Sequence, residues 1–218
     1  MRPQFGPNIS IPYGLKLQLT DSNQERESFQ ILEGAYKGTT ASVKRKGPNQ
    51  SFLVDAMRRD PPGSVRFELG KQALYLGARG PYNAFSGGGF GGFTPVSPGK
   101  YQLSIPPFPA RATRTGYGRW TRYHRMWFRI GTDPHGSRFL HPGEISEGCV
   151  TVRQFISDPL RPQPGFEDLP RLGRDYPTAI GLPMPARPAP IIGWDAVFDY
   201  LILARLNDQS VGTLVVSL

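Results

Sequence analysis

A single cysteine, Cys149, stands among 218 residues. One thiol excludes an intramolecular disulfide and any cysteine-based zinc cluster, and it leaves the redox compartment unmarked. Histidine is almost as scarce. There are three, no two at i, i+4, which argues against a metal site built by the protein. Long apolar runs are missing too: the stretch around Leu201-Ile202-Leu203-Ala204 falls far short of the roughly 18 residues of a membrane span. The opening Met1-Arg2-Pro3-Gln4-Phe5-Gly6-Pro7-Asn8 lacks the apolar core of a secretory signal. The expectation is a soluble chain with no signal peptide and no membrane span. No Gly-x-y period appears, which excludes a collagen-like chain.

What the sequence has in excess is glycine and proline. The 26 glycines and 23 prolines make up about 22% of the chain, against a usual share of roughly 12%. That excess disfavours long helices and excludes a helical bundle or coiled coil. With 13 Phe, 9 Tyr and 3 Trp supplying bulk for a core, the composition suits short strands joined by turns and loops. The net charge of +9 favours anionic partners: nucleic acid, a membrane surface, or a carboxylate-rich polymer such as a bacterial cell wall.

Residues 1–14 read as an irregular lead-in. Leu15-Lys16-Leu17-Gln18-Leu19, Ser28-Phe29-Gln30-Ile31-Leu32 and Ser51-Phe52-Leu53-Val54 read as short strands, with a basic turn at Lys44-Arg45-Lys46-Gly47-Pro48. Asp60-Pro61-Pro62-Gly63 is the best break in the chain. It divides a β-rich segment of unknown role, 1–60, from a larger domain, 61–218. In the latter, Val65, Phe67 and Leu69 alternate, Gly70-Lys71 turns, and Ala73-Leu74-Tyr75-Leu76 runs back as a hairpin. Lys100-Tyr101-Gln102-Leu103 leads a strand, Met126-Trp127-Phe128-Arg129-Ile130 reads as a buried one, and Arg138-Phe139-Leu140-His141 as a shorter one. Nine prolines between 158 and 192 predict a long irregular excursion. Trp194, Val197, Phe198, Leu201 and Ile202 fall at i, i+3, i+4, i+7 and i+8 and predict one amphipathic helix; a final strand follows from Val211. The sum is a mainly-β domain with one packed helix.

Chemistry concentrates in Arg138-Phe139-Leu140-His141-Pro142-Gly143-Glu144-Ile145-Ser146-Glu147-Gly148-Cys149-Val150-Thr151-Val152. A cysteine nucleophile needs a base within hydrogen-bond reach and donors aimed at the developing oxyanion. His141 ends a strand, and Cys149 begins the next apolar run after a seven-residue loop. Two such ends can lie side by side in a sheet. Gly148 lets the backbone turn tightly, so that consecutive N–H groups could face one point. On spacing alone the commoner reading is the plainer one, in which Cys149 is a small buried hydrophobe and His141 a surface turn residue.

This stretch resembles the catalytic signature of the L,D-transpeptidase family (the YkuD-like catalytic domain), in which a His-Gly or His-Pro element precedes Ser-x-Gly-Cys. The short spacing between His141 and Cys149 is similar to that of compact members, including peptidoglycan-acting effectors of bacterial secretion systems. Phe67 to Leu76 resembles the family's opening hairpin. Ser86-Gly87 followed by Thr94-Pro95 and Gly99-Lys100-Tyr101 resembles its Ser-Thr-Gly and Thr-Pro-x-Gly-x-Tyr elements. The likeness covers about 65–152, and more loosely 193–218. Two positions depart from the pattern: Glu147 stands where the motif has histidine, and Val150-Thr151 where it has Ile-Arg.

The resemblance implies an L,D-transpeptidase-like β-sandwich or barrel with one packed C-terminal helix and a long Pro-rich loop. It implies a cysteine acyl-transfer enzyme acting on peptidoglycan stem peptides, by cross-linking, D-amino-acid exchange or L,D-carboxypeptidase action. Cys149 would be the nucleophile and His141 the base, with His135 as a rival. Gly148 and Ser146 complete the catalytic set, the backbone N–H groups of Gly148 and Cys149 holding the oxyanion. Arg129, Arg125, Trp127 and Arg153 would bind substrate, with Arg129 and Arg153 the candidates to replace the family's arginine. No cofactor is implied. Action in the periplasm or cell wall without a signal peptide implies delivery by a secretion system, with that machinery and an immunity protein as partners.

A second candidate surface is the segment 100–132. It carries Lys100, Arg111, Arg114, Arg119, Arg122, Arg125 and Arg129 with no acid before Asp133, and interleaves seven aromatics from Tyr101 to Phe128. Such a run suits single-stranded nucleic acid, peptidoglycan through arginine–carboxylate pairing and stacking on sugars, or a solvated strand pair whose aromatics are core. The alternative function is therefore a non-enzymatic basic module for nucleic acid; the enzymatic reading expects none.

Overall fold

The computed structural model describes residues 8–45, 47, 50–51, 53, 63–87, 94–110, 123, 125–131, 138–143, 146, 148–153 and 193–218. The 158–192 excursion, His124, His135, Glu144, Glu147 and the arginines from 111 to 122 lie outside these residues, as do Phe52 and Val54 of the expected 51–54 strand. The fold is mainly β. Three strands, β1 (Leu17–Ser22), β2 (Arg26–Ile31) and β3 (Thr40–Lys44), form an antiparallel sheet in that order. Eight more close a barrel: β4 (Gly63–Glu68), β5 (Ala73–Leu76), β6 (Arg79–Ser86), β7 (Gly99–Ser104), β8 (Phe128–Ile130), β9 (Phe139–Pro142), β10 (Val150–Val152) and β11 (Gly212–Ser217). Around the barrel the order is β10-β6-β5-β4-β11-β7-β8-β9.

Alternation explains the closure. Val65 and Phe67 of β4, Leu214 and Val216 of β11, and Phe128 and Ile130 of β8 point into one apolar core, and the residues between them face outward. The Met126–Ile130 stretch, expected to be buried throughout, obeys the same rule. Met126, Phe128 and Ile130 are inside, while Trp127 and Arg129 stand half-buried on the outer face. The expected hairpin is β4–β5, with Val65 opposite Leu76 and Phe67 opposite Leu74. The last strand, β11, slots between β4 and β7, parallel to the first and antiparallel to the second. At the end of β4, the Glu68 carboxyl is held below its ordinary range by a hydrogen bond from Lys71, against the upward pull of burial.

The one helix among the described residues, α1 (Trp194–Ala204), buries Trp194, Val197, Phe198 and Leu201 in the barrel's core. Tyr123 stacks on Phe198 at 3.7 Å, and the Trp194 indole N–H donates to the Tyr123 carbonyl at 3.1 Å. The helix stops at Arg205, whose backbone turns extended. No helix among the described residues is long and apolar enough to cross a membrane.

Arg205 joins the two sheets. Its guanidinium donates to Glu33 Oε2 at 2.5 Å, the same oxygen accepts the Lys16 backbone N–H at 2.9 Å, and both side chains are buried. Lys16 Nζ reaches the Leu206 carbonyl at 2.8 Å, and the Gly34 N–H donates to Asp208 at 3.2 Å. A buried ion pair contributes little over an apolar pair, but removing one partner strands the other. Arg205→Ala is therefore expected to cost about 3 kcal/mol. Amide exchange should accelerate over residues 17–44 more than in the barrel; uniform protection in both sheets would show that this contact does not hold them together.

Candidate active site

Strands β9 and β10 lie side by side and parallel, with Leu140 opposite Val150, His141 opposite Thr151 and Pro142 opposite Val152. Only residues 143–149 connect them, far fewer than a helical crossover needs. The loop returns through Gly148, whose φ of 83° is left-handed backbone that glycine adopts without strain. Ser146, wholly buried, pins it: its hydroxyl donates to the Cys149 carbonyl at 2.7 Å and accepts the Gly87 N–H at 3.0 Å.

Leu140, Val150 and Val152 face the core, so their neighbours face outward. Extending the pairings by one residue places Arg129, Phe139, Cys149 and Gly87 in one row across β8, β9, β10 and β6. The next row holds Trp127, His141, Thr151 and Phe85. Cys149 and His141 are thus diagonal neighbours on the same face, about 8 Å apart between Cα atoms by strand spacing and rise, close enough for their side chains to converge. The candidate site lies on the outer wall of the barrel rather than in its lumen.

The Phe139 N–H donates to Cys149 Sγ at 3.4 Å. A donor on sulfur favours the thiolate over the thiol. His141, 1% exposed, sets Nδ1 2.8 Å from the Pro142 carbonyl and Nε2 3.2 Å from Thr151 Oγ1. A carbonyl only accepts, so Nδ1 carries the proton and the neutral ring keeps its lone pair on Nε2. The Trp127 ring stacks on the imidazole at 4.3 Å and 22°, and meets Phe139 edge-on at 5.6 Å. An aromatic face against the ring also accommodates the imidazolium.

The other sequence-nominated residues divide. Arg129 occupies the Cys149 row, half-buried. Arg153 lies on the same face two positions beyond Thr151, its guanidinium 5.0 Å from the Phe85 ring. Arg125 donates to the Ala110 carbonyl at 3.2 Å and so closes its own loop. Trp127, nominated for substrate, packs on His141. In the sequence Thr151 is marked only as the residue in place of an arginine, and its partnership with His141 comes from the strand register. Among the described residues no three His, Cys, Asp or Glu side chains are grouped to hold a metal.

The segment 94–97 closes one flank. Ser86 Oγ accepts the Val96 N–H at 2.9 Å, and Arg138 donates to the Pro95 carbonyl at 2.8 Å and to Thr94. Gly87 makes that packing feasible. Its φ is 69°, and a Cβ there would sit 2.8 Å from Pro95 N. Gly87→Ala is expected to displace the 94–97 segment and Ser146 together, costing about 1–2 kcal/mol from backbone conformation alone and more from the clash. Thermal unfolding with thiol alkylation would check it; wild-type behaviour in both would show that the segment adapts.

Comparison with known proteins returned no matching family model, no matching curated protein and no matching solved structure. What the site can do is read from its own geometry.

Proposed function

We propose that the chain is a cysteine acyl-transfer enzyme with an L,D-transpeptidase-like catalytic domain, acting on peptidoglycan stem peptides. One observation carries this reading: Cys149, its sulfur taking a backbone N–H, shares the outer face of two parallel strands with a buried imidazole whose tautomer is fixed. A cysteine kept only for packing has no need of either neighbour.

In the proposed reaction the Cys149 S–H proton passes to His141 Nε2, and the sulfur pair attacks the carbonyl carbon of the stem's terminal L,D-amide. Backbone N–H groups of Gly148 and Cys149 face the oxyanion. The C–N bond breaks, Nε2 returns the proton to the departing amine, and a thioester remains on Cys149. An acceptor amine or water then attacks the thioester, giving its proton to Nε2, and the thiolate leaves. Arg129 and Arg153 lie on either side of the Cys149–His141 pair and suit the carboxylates of a stem peptide.

The alternative of a nucleic-acid module loses two of its described residues to internal roles, Arg125 to the Ala110 carbonyl and Trp127 to the His141 ring. Mass spectrometry of tetrapeptide muropeptides incubated with the protein separates the two. Loss or exchange of the terminal D-amino acid, or new cross-links, is expected. Unchanged muropeptides together with tight, salt-sensitive oligonucleotide binding would favour the module.

A further inference from the structure

We propose that Thr151 is a positioning residue for His141, holding Nε2 in the neutral ring and following it into the protonated one. The proposal rests on the reading of His141 as the proton carrier for Cys149. Thr151 stands directly opposite His141 in the parallel register, with Oγ1 3.2 Å from Nε2, and its exposure is 0% against 1% for the histidine. The hydroxyl occupies the place that solvent takes beside an exposed ring.

Its chemistry suits the task. Because Nδ1 donates to the Pro142 carbonyl, the neutral ring needs a donor at Nε2, and the Thr151 O–H supplies one. Once Nε2 is protonated the ring needs an acceptor there, and rotation about Cβ–Oγ1 turns a lone pair of the same oxygen toward the N–H. A hydroxyl serves both states without moving a heavy atom, whereas a carboxylate only accepts and an ammonium only donates. Threonine's branched Cβ restricts χ1 within a strand, so the backbone itself aims the oxygen. Trp127 covers the ring face and opposes its turning.

The proton balance is simple. In the attack step the Thr151 O–H first turns away and frees the Nε2 lone pair; the thiol proton then moves from Cys149 Sγ to Nε2, the sulfur keeps the electron pair, and Thr151 keeps its own proton. When Nε2 gives the proton to the leaving amine, the hydroxyl turns back. Thr151 is never an acid or a base.

The test uses the full chain labelled with 15N-histidine, with His141 signals assigned by their loss in His141→Gln. The wild-type ring is expected to show one protonated and one bare nitrogen. Thr151→Val, equal in shape but without the hydroxyl, should leave Nδ1 protonated on the Pro142 carbonyl and shift the Nε2 signal, which has lost its donor, and Thr151→Ser should restore that shift. With tetrapeptide muropeptide, Thr151→Val should lower kcat about tenfold, part of the 100- to 10,000-fold that a positioned base contributes. KM should stay within about twofold, and serine should rescue kcat. Unfolding midpoints of both variants confirm that the signals come from folded protein. Wild-type ring signals in Thr151→Val, or equal impairment of the valine and serine variants, would overturn the assignment. A wild-type protein that turns over no muropeptide would instead overturn the enzymatic reading, while the ring signals still decide whether Thr151 holds His141.

Discussion

Cys149→Ala should abolish turnover of tetrapeptide muropeptides, by at least about a thousandfold, as when other catalytic nucleophiles are removed, while the barrel stays folded. The side chain lost is one sulfur atom at 9% exposure, bonded to the Phe139 N–H. Its removal leaves a small gap and one backbone donor without its partner, a cost of about 1 kcal/mol. Ser146 holds the loop through the Cys149 carbonyl, a backbone group that the substitution retains. Cys149→Ser sharpens the comparison, since a hydroxyl fills the space but is a far weaker nucleophile than a thiolate at neutral pH. Both variants should unfold near the wild-type midpoint and both should be inactive. Near-wild-type turnover by either would end the cysteine mechanism.

The second large effect belongs to His141. Its removal should reduce turnover by roughly 100- to 10,000-fold, the contribution of a positioned general base. It should also raise the pH at which Cys149 reacts with iodoacetamide. The sign follows from charge. An imidazolium beside the sulfur stabilises the thiolate, so without it the thiol titrates higher, toward the roughly 8.5 of a free cysteine. Because the ring is buried against Thr151, Pro142 and Trp127, His141→Ala leaves a cavity and two polar groups to rearrange. His141→Gln, nearer in size, separates loss of the base from loss of the fold. His135→Ala is the control, expected to change neither turnover nor the alkylation profile. If His135→Ala shifts the profile and His141→Gln does not, the base is His135.

How far such a site can be read from one sequence depends on the range of the interactions that build it. Helix α1 was legible because its stripe from Trp194 to Leu201 repeats within a dozen residues and meets a single core. The β4–β5 hairpin was legible because Gly70-Lys71 separates two apolar runs that pair locally. Strand β6 was not: Gly80 and Pro81 interrupt any local strand pattern, and only pairing with β5 on one side and β10 on the other makes Arg79–Ser86 a strand. Strand β3 is polar and half-exposed, and it pairs only because β2 offers its edge. Barrel closure and the Arg205–Glu33 contact join residues far apart in the chain, which no local pattern encodes.

The candidate site divides along the same line. Cys149 and His141 stand out because each is rare and they lie eight positions apart, but the parallel register sets them diagonally, His141 opposite Thr151 and Cys149 one step before Val150, rather than at adjoining strand ends. The Pro142 carbonyl, Thr151 and the stacking of Trp127 depend on which strands are neighbours and in what register, so Trp127 was read as a substrate contact and Thr151 only as a missing arginine.

The most direct measurement is acid quench of the protein with a tetrapeptide muropeptide on the millisecond scale, followed by intact-mass and peptide-mapping mass spectrometry. A thioester survives acid, so the account predicts an acyl adduct lighter than the substrate by its terminal D-amino acid. That adduct should map to the peptide carrying Cys149 and be absent in Cys149→Ala. Product formation with the acyl group on another residue, or undiminished in Cys149→Ala, would contradict it.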